Sequence, residues 1–211
     1  VGVAERKARD FLKREDLILD AAFALFLKHG VGNVTIEMIA EASEIGKGTV
    51  YKHFTSKDDI YALLAIAKAT PVIAKLVRIE PMASVLDELK MCARIYLEFG
   101  LGDLKGYKVF QDCRTLLNVA NLSPKVAERL KKAEKEHFHI IEAKFARGIK
   151  EGIIREAPVQ FMSIVGIGML QGAMDILLRS PIPMTSAQQE AFLKIAEDVL
   201  IKGLLSDKQL Q

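Results

Sequence analysis

The chain has 211 residues, half of them hydrophobic and 27% charged, with a formal net charge of +3 and a sequence pI near 8.8. That supply suits one or two well-packed cores and excludes a disordered polyelectrolyte. Cys92 and Cys113 are too few for a disulfide framework, and no stretch of about 20 residues is free of charge, so the expectation is a reducing cytoplasm, no signal peptide and no membrane span.

The charge is unevenly placed. Residues 1–60 hold nine Lys and Arg against ten Asp and Glu, so a polyanionic partner cannot be argued from bulk charge. It can be argued only from local runs: Arg6, Lys7, Arg9, Lys13 and Arg14 at the amino terminus, which read as a solvated tail or as phosphate contacts, and Lys47, Lys52 and Lys57 with no acid between them.

From Asp10 to Lys28, Phe11, Ile18, Leu19, Ala22, Phe23 and Phe26 form the stripe of an amphipathic helix that Gly30 ends. Val34, Ile36, Ile39 and Ala40 then recur at helical spacing behind Thr35, whose hydroxyl can cap Met38, and predict a short helix to Ala42. Ser43-Glu44-Ile45-Gly46 is a turn, with Ile45 the one apolar plug. The next helix, Lys47 to about Phe54, puts Val50 and Phe54 inward. Lys47, Gly48, Thr49, Lys52 and His53 face outward, with Tyr51 at the edge. An apolar back, a basic, hydroxyl-bearing front and a glycine permitting close approach are what a recognition helix in the major groove requires. Ser56 and Asp59 have the capping-box spacing that opens a further helix to about Val77, bent or shortened at Pro71.

Beyond it, Ser84 and Asp87 repeat the capping pattern for a helix to the Gly100-Leu101-Gly102 turn, and Tyr107 to Ala120 makes another. Ser123-Pro124 opens a long charged helix to Gly152. Pro158 opens the most apolar one, Val159 to Arg179; Ser180-Pro181-Ile182-Pro183 is a rigid connector, and Thr185 or Ser186 caps the last helix to about Leu205. No period of two appears. The class is all-α with about nine helices: a helix-turn-helix domain over 1–56 and a larger helical domain over 57–211.

The stretch TIEMIAEASEIGKGTVYKHFTSKDDIYALL resembles the DNA-binding signature of the tetracycline-repressor family of bacterial transcriptional regulators, specifically over residues 11–64 and elsewhere only by length and helical pattern. The resemblance implies that Thr35 caps a helix at a phosphate and that Lys47, Thr49, Tyr51, Lys52 and His53 contact the groove and backbone. Lys57 is then a phosphate clamp. Ser43 departs from the family's usual turn glycine, as does Gly46 from its usual small polar residue. The family also implies a homodimer through its last two helices and a cavity for a small molecule among its middle helices.

Large apolar residues supply that cavity in excess: Leu89, Tyr96, Phe99, Phe110, Leu117, Phe138, Ile141, Phe145, Phe161, Val165 and Met169, with Gln111, Asn118 and Gln171 as candidate polar groups. Gly168, Gly172, Asp175, Ile176, Phe192, Ile195 and Val199 are the expected dimer face. Arg94 and Arg114 read as ion-paired with Glu98 and Asp112.

Rival chemistry is weaker. Glu134 and His137, and Glu136 and His139, have Glu-x-x-His spacing on one helix where a di-metal bundle needs two, so a hydrated face is expected and no metal or cofactor. Arg114 beside Cys113 is the one hint of a redox thiol. The reading is a ligand-responsive DNA-binding repressor, not an enzyme, with a palindromic operator, an apolar effector and a second copy of itself as partners. The alternatives are an all-helical metal-dependent or redox enzyme, or a constitutive DNA binder without effector.

Overall fold

The computed structural model describes residues 2–180 and 184–209, so the connector at 181–183 lies outside the described residues. Among them the chain forms nine α-helices: α1 (Val3–His29), α2 (Ile36–Ala42), α3 (Lys47–His53), α4 (Lys57–Val77), α5 (Val85–Gly102), α6 (Leu104–Leu116), α7 (Pro124–Lys150), α8 (Val159–Arg179) and α9 (Ser186–Leu204). The basic run Arg6–Arg14 is helical, part of α1, and not a tail.

The chain divides into two compact units, and the division does not fall at residue 56: the first comprises Val1–Ala69 with Lys105–Lys132, the second Thr70–Leu104 with Ala133–Gln211. The first core is built from the predicted stripes. Ile18, Ala22 and Phe26 of α1, Ile39 of α2, Val50, Phe54, and Ile60 and Leu63 of α4 are all buried, joined by Val109 and Cys113 of α6 and Val126 of α7.

Two carboxylates bring α6 and α7 into this unit. Fully buried Asp59 accepts from the backbone N–H and hydroxyl of Thr55 at 2.8 and 2.9 Å through one oxygen, and from the N–H and hydroxyl of Ser123 at 2.9 and 3.0 Å through the other. Asp58 accepts from the Asn118 N–H at 2.7 Å and the Asn121 amide at 3.1 Å. The capping box is therefore shifted: Ser56 accepts from the Asp59 N–H at 3.2 Å, while Asp59 reaches Thr55 instead of Ser56. Arg129 of α7 adds a 2.7 Å ion pair to buried Glu15 of α1. Helix α4 runs through Pro71 to Val77, so the proline does not shorten it.

In the second unit α5, α8 and α9 pack on one another. A Cβ on Gly100 of α5 would lie 2.3 Å from the Met174 methyl of α8, so glycine is what lets Met174 seat there. Ser84 makes no side-chain cap. Its helix is anchored by Glu88, 1% exposed, which accepts from the Met82 N–H at 2.6 Å, Lys144 at 2.8 Å and Arg147 at 2.7 Å. Burial alone would raise this carboxyl; the bonds from Lys144, Met82 and Arg147 outweigh it and hold its pKa at about 2. Of the two expected caps, Thr185 takes the N-cap of α9, and it does so in a capping box with Gln188.

Candidate nucleic-acid interface

Helices α2 and α3 are held at their angle by a Schellman turn. The Ile45 N–H donates to the Ala40 carbonyl at 3.0 Å, the Glu44 N–H to Glu41 at 3.1 Å, and Glu44 takes the left-handed conformation at φ 55°. The strained position is therefore Glu44 and neither Ser43 nor Gly46, whose φ values are −87° and −56°. Half-buried Ile45 packs against the core, as a plug should.

Thr35 caps α2 as predicted, its hydroxyl accepting from the Met38 N–H at 3.3 Å. Val50 is fully buried, so the opposite face of α3 points outward. Lys47, Gly48, Tyr51 and Lys52 are exposed there and Thr49 is half-buried. A Cβ on Gly46 or Gly48 would meet nothing within 4 Å, so this face is open. The ammonium of Lys47 is in contact with the carboxylate of Glu37, an exposed residue of α2. That hydrogen bond, with help from Glu37's own backbone and Thr35, lowers the Glu37 pKa to about 2, and Glu37 in turn raises that of Lys47.

Two predicted contacts are placed otherwise. His53 turns back onto α1, its ring stacked on Phe11 with centroids 3.9 Å apart and planes at 25°; its Nδ1 is buried without a hydrogen-bond partner. Burial lowers its pKa, with Glu15 opposing and Arg14 and Lys125 reinforcing the shift. Lys57 donates to the Val34 carbonyl at 2.9 Å and lies 5.5 Å from the Tyr61 ring centre, so part of its donor capacity is spent inside the domain.

The expected cavity residues separate into three places. Leu89, Tyr96, Ile141 and Phe145 do line one cavity of the second unit. The remaining walls were missed: Cys92 and Ala93 on α5, Ser163, Gly166, Ile167 and Leu170 on α8, and Leu200, Ile201 and Leu204 on α9. Their spacing was the available signal, since 89, 92, 93 and 96, like 163, 166, 167 and 170, each fall on one helix face. Half-buried Phe99 and Phe138 are not among the lining residues. Phe110, Gln111 and Leu117 belong to the first unit, where Gln111 donates to the Tyr107 hydroxyl at 3.1 Å and Leu117 packs on the core. Asn118 also lies there, its side chain accepting from the Ala120 N–H at 3.1 Å.

Phe161, Val165 and Met169 lie outside the cavity, 66%, 60% and 40% exposed. They share the uncovered side of α8 with Ile164, Gly168, Gly172 and Ile176, and Ile195 and Val199 are exposed on α9. Half-buried Asp175 pairs with Arg179, and Phe192 is half-buried. Helices α4 and α8 are both long and apolar enough to cross a membrane by length and composition. In α4 the apolar side chains from Ile60 to Leu64 belong to the folded core. Only 33% of the apolar window of α8 is buried, which leaves a continuous apolar stripe uncovered.

No group of three or more His, Cys, Asp or Glu among the described residues could hold a metal ion. His137 is not on a hydrated face: it is half-buried, 2.6 Å from the Tyr96 hydroxyl through Nε2. Burial pushes Cys92 up to about 11 and Cys113 up to about 12, so neither is a reactive thiolate near neutral pH. Arg114 lies 5.6 Å from the Phe110 ring centre, Asp112 pairs with Lys108, and Arg94 approaches Glu197 at 3.9 Å.

Residues 18–64 match the family model described as bacterial regulatory proteins, tetR family. The chain is 25% identical over 155 residues to the uncharacterized HTH-type transcriptional regulator YhgD of Bacillus subtilis strain 168, covering 73% of this chain and 78% of that one. It is 32% identical over 59 residues to the probable acrEF/envCD operon repressor of Escherichia coli strain K12, covering 28% of this chain and 27% of that one. In fold it is similar to the fatty acid degradation regulator FadR of Bacillus halodurans, with a TM-score of 0.66 and 19% identity over 90% of this chain and 99% of that one.

Proposed function

Because the chain belongs to the tetR family of bacterial regulatory proteins and is a transcriptional regulator, we propose that it is a homodimeric repressor that binds a palindromic operator through α2 and α3 and leaves it when an apolar molecule fills the cavity of the second unit. The observation that carries the DNA reading is the open face of α3, where exposed Lys47, Tyr51 and Lys52 flank a glycine with empty space before it. Such a regulator acts in the cytoplasm, where the chromosome is. The uncovered apolar stripe of α8 and α9 supports pairing with a second copy, and a two-fold dimer matches a palindrome with half-sites about one helical turn apart, ~34–36 Å.

The cavity walls supply the effector's character. Leu89, Ile141, Phe145, Leu170 and Leu200 are apolar, and Ser163 spends its hydroxyl on the Val159 carbonyl at 3.0 Å. Moving the protein from mostly bound to mostly free takes about 5.5 kcal/mol of differential affinity. At ~25 cal/mol per Å², that difference takes about 220 Å² of apolar ligand surface buried in one state only.

The test is thermal shift across a panel of hydrophobic and polar small molecules, followed by release of bound DNA. Long-chain or aromatic apolar compounds are expected to stabilise the wild type and to lose that effect in Phe145→Ala. Stabilisation by sugars or nucleotides alone would contradict the reading of the cavity.

A further inference from the structure

Helix α7 delivers a cation to the end of the recognition helix. Lys125, exposed in its first turn, has its ammonium 5.0 Å from the centre of the Phe11 ring, and Phe11 is stacked on His53 of α3. Arg14, exposed on α1 one turn beyond Phe11, acts on the same imidazole, and exposed Lys52 is its neighbour in sequence. Glu15, the carboxylate that acts on the same imidazole, is buried and already committed to Arg129 at 2.7 Å. Arg14 and Lys125 thus bring positive charge from two helices to one aromatic stack whose His53 directly follows Lys52 on α3, and none of the three has an ion pair among the described residues. Two turns before Arg14 on α1, exposed Lys7 continues the same side.

Like charges held near one another repel, and the arrangement is relieved by a partner that presents anions at comparable spacing. The same first turn of α7 is fixed to the domain by the Ser123 bonds to Asp59, so Lys125 is placed by the fold and not by a free tail. We infer that Lys125 of α7 and Arg14 of α1, outside the helix-turn-helix itself, form with Lys52 a second phosphate-binding surface that grips the DNA backbone beside the recognition helix. This rests on the DNA-binding reading above. Contacts of this kind carry no sequence information; they add affinity and salt dependence for every DNA alike.

The test measures DNA affinity against salt by fluorescence anisotropy, for a fragment selected by the wild-type protein and for an unrelated duplex. Lys125→Gln and Arg14→Gln are each expected to lower the slope of log K against log salt by about 0.9, equally on both DNAs, with Lys125→Arg retaining the wild-type slope. Lys131→Gln, on the same helix, serves as the control and keeps the slope. If Lys125→Gln and Arg14→Gln keep the wild-type slope while Lys52→Gln lowers it, the DNA reading stands and this surface is not used. If the wild type shows no salt-dependent DNA binding, both fail.

Discussion

Glu37 is the residue whose role on the proposed DNA face is least expected, because a carboxylate there opposes phosphate. Its contact with Lys47 turns a free cation into a neutral pair at the opening of α3. Glu37→Gln is therefore expected to steepen the salt slope by about one unit and to raise affinity for unrelated DNA more than for the selected site. Glu41→Gln, one turn further along α2, is not. Equal effects of the two substitutions in salt titrations would show that the pair has no special part. Glu88 makes a different prediction. Its folded pKa of about 2 lies below the ordinary 4.5, so the stability it contributes is fully present above pH 4.5 and is lost as pH falls toward 2. That span corresponds to about 3 kcal/mol, and Glu88→Gln is expected to cost this order at pH 7 while the difference from wild type closes by pH 2. Urea denaturation at both pH values checks it.

At the scale of elements, what is local was legible and what is distant was not. The bounds of α2, α4 and α8 and the Thr35 cap follow from spacings of three and four residues, which a sequence displays directly. Asp58 and Asp59 read as a helix start, yet their partners include Asn118 and Ser123, 60 and 64 residues away, and this is why α6 and α7 join the first unit unannounced. Helix α8 failed differently. Its large residues were assigned to a ligand and its small ones to a partner, although 161, 165, 168 and 172 occupy one face and the cavity takes 163, 166, 167 and 170. The uncovered face predicts association. Gly172→Glu has open space around it in one protomer and should leave the fold intact. It is expected to turn a dimer into a monomer by sedimentation at micromolar concentration, as is Val165→Lys; a monomeric wild type, or a dimer unaffected by both, would contradict this use of α8.

For the whole molecule, the proposed function rests on a DNA-reading face in the first unit and on an apolar cavity and a self-associating face in the second. Each of these has a separate test, but all depend on the claim that the α2 and α3 surface recognises particular DNA. The most direct measurement is sequencing of genomic fragments retained by the purified protein, with Tyr51→Ala and Lys52→Ala treated identically. The expected result is a small set of enriched fragments sharing a two-fold symmetric site, protected in footprints by the wild type and lost or strongly weakened in both variants. Retention of fragments without a common sequence, or the same enriched site for wild type and both variants, would contradict it.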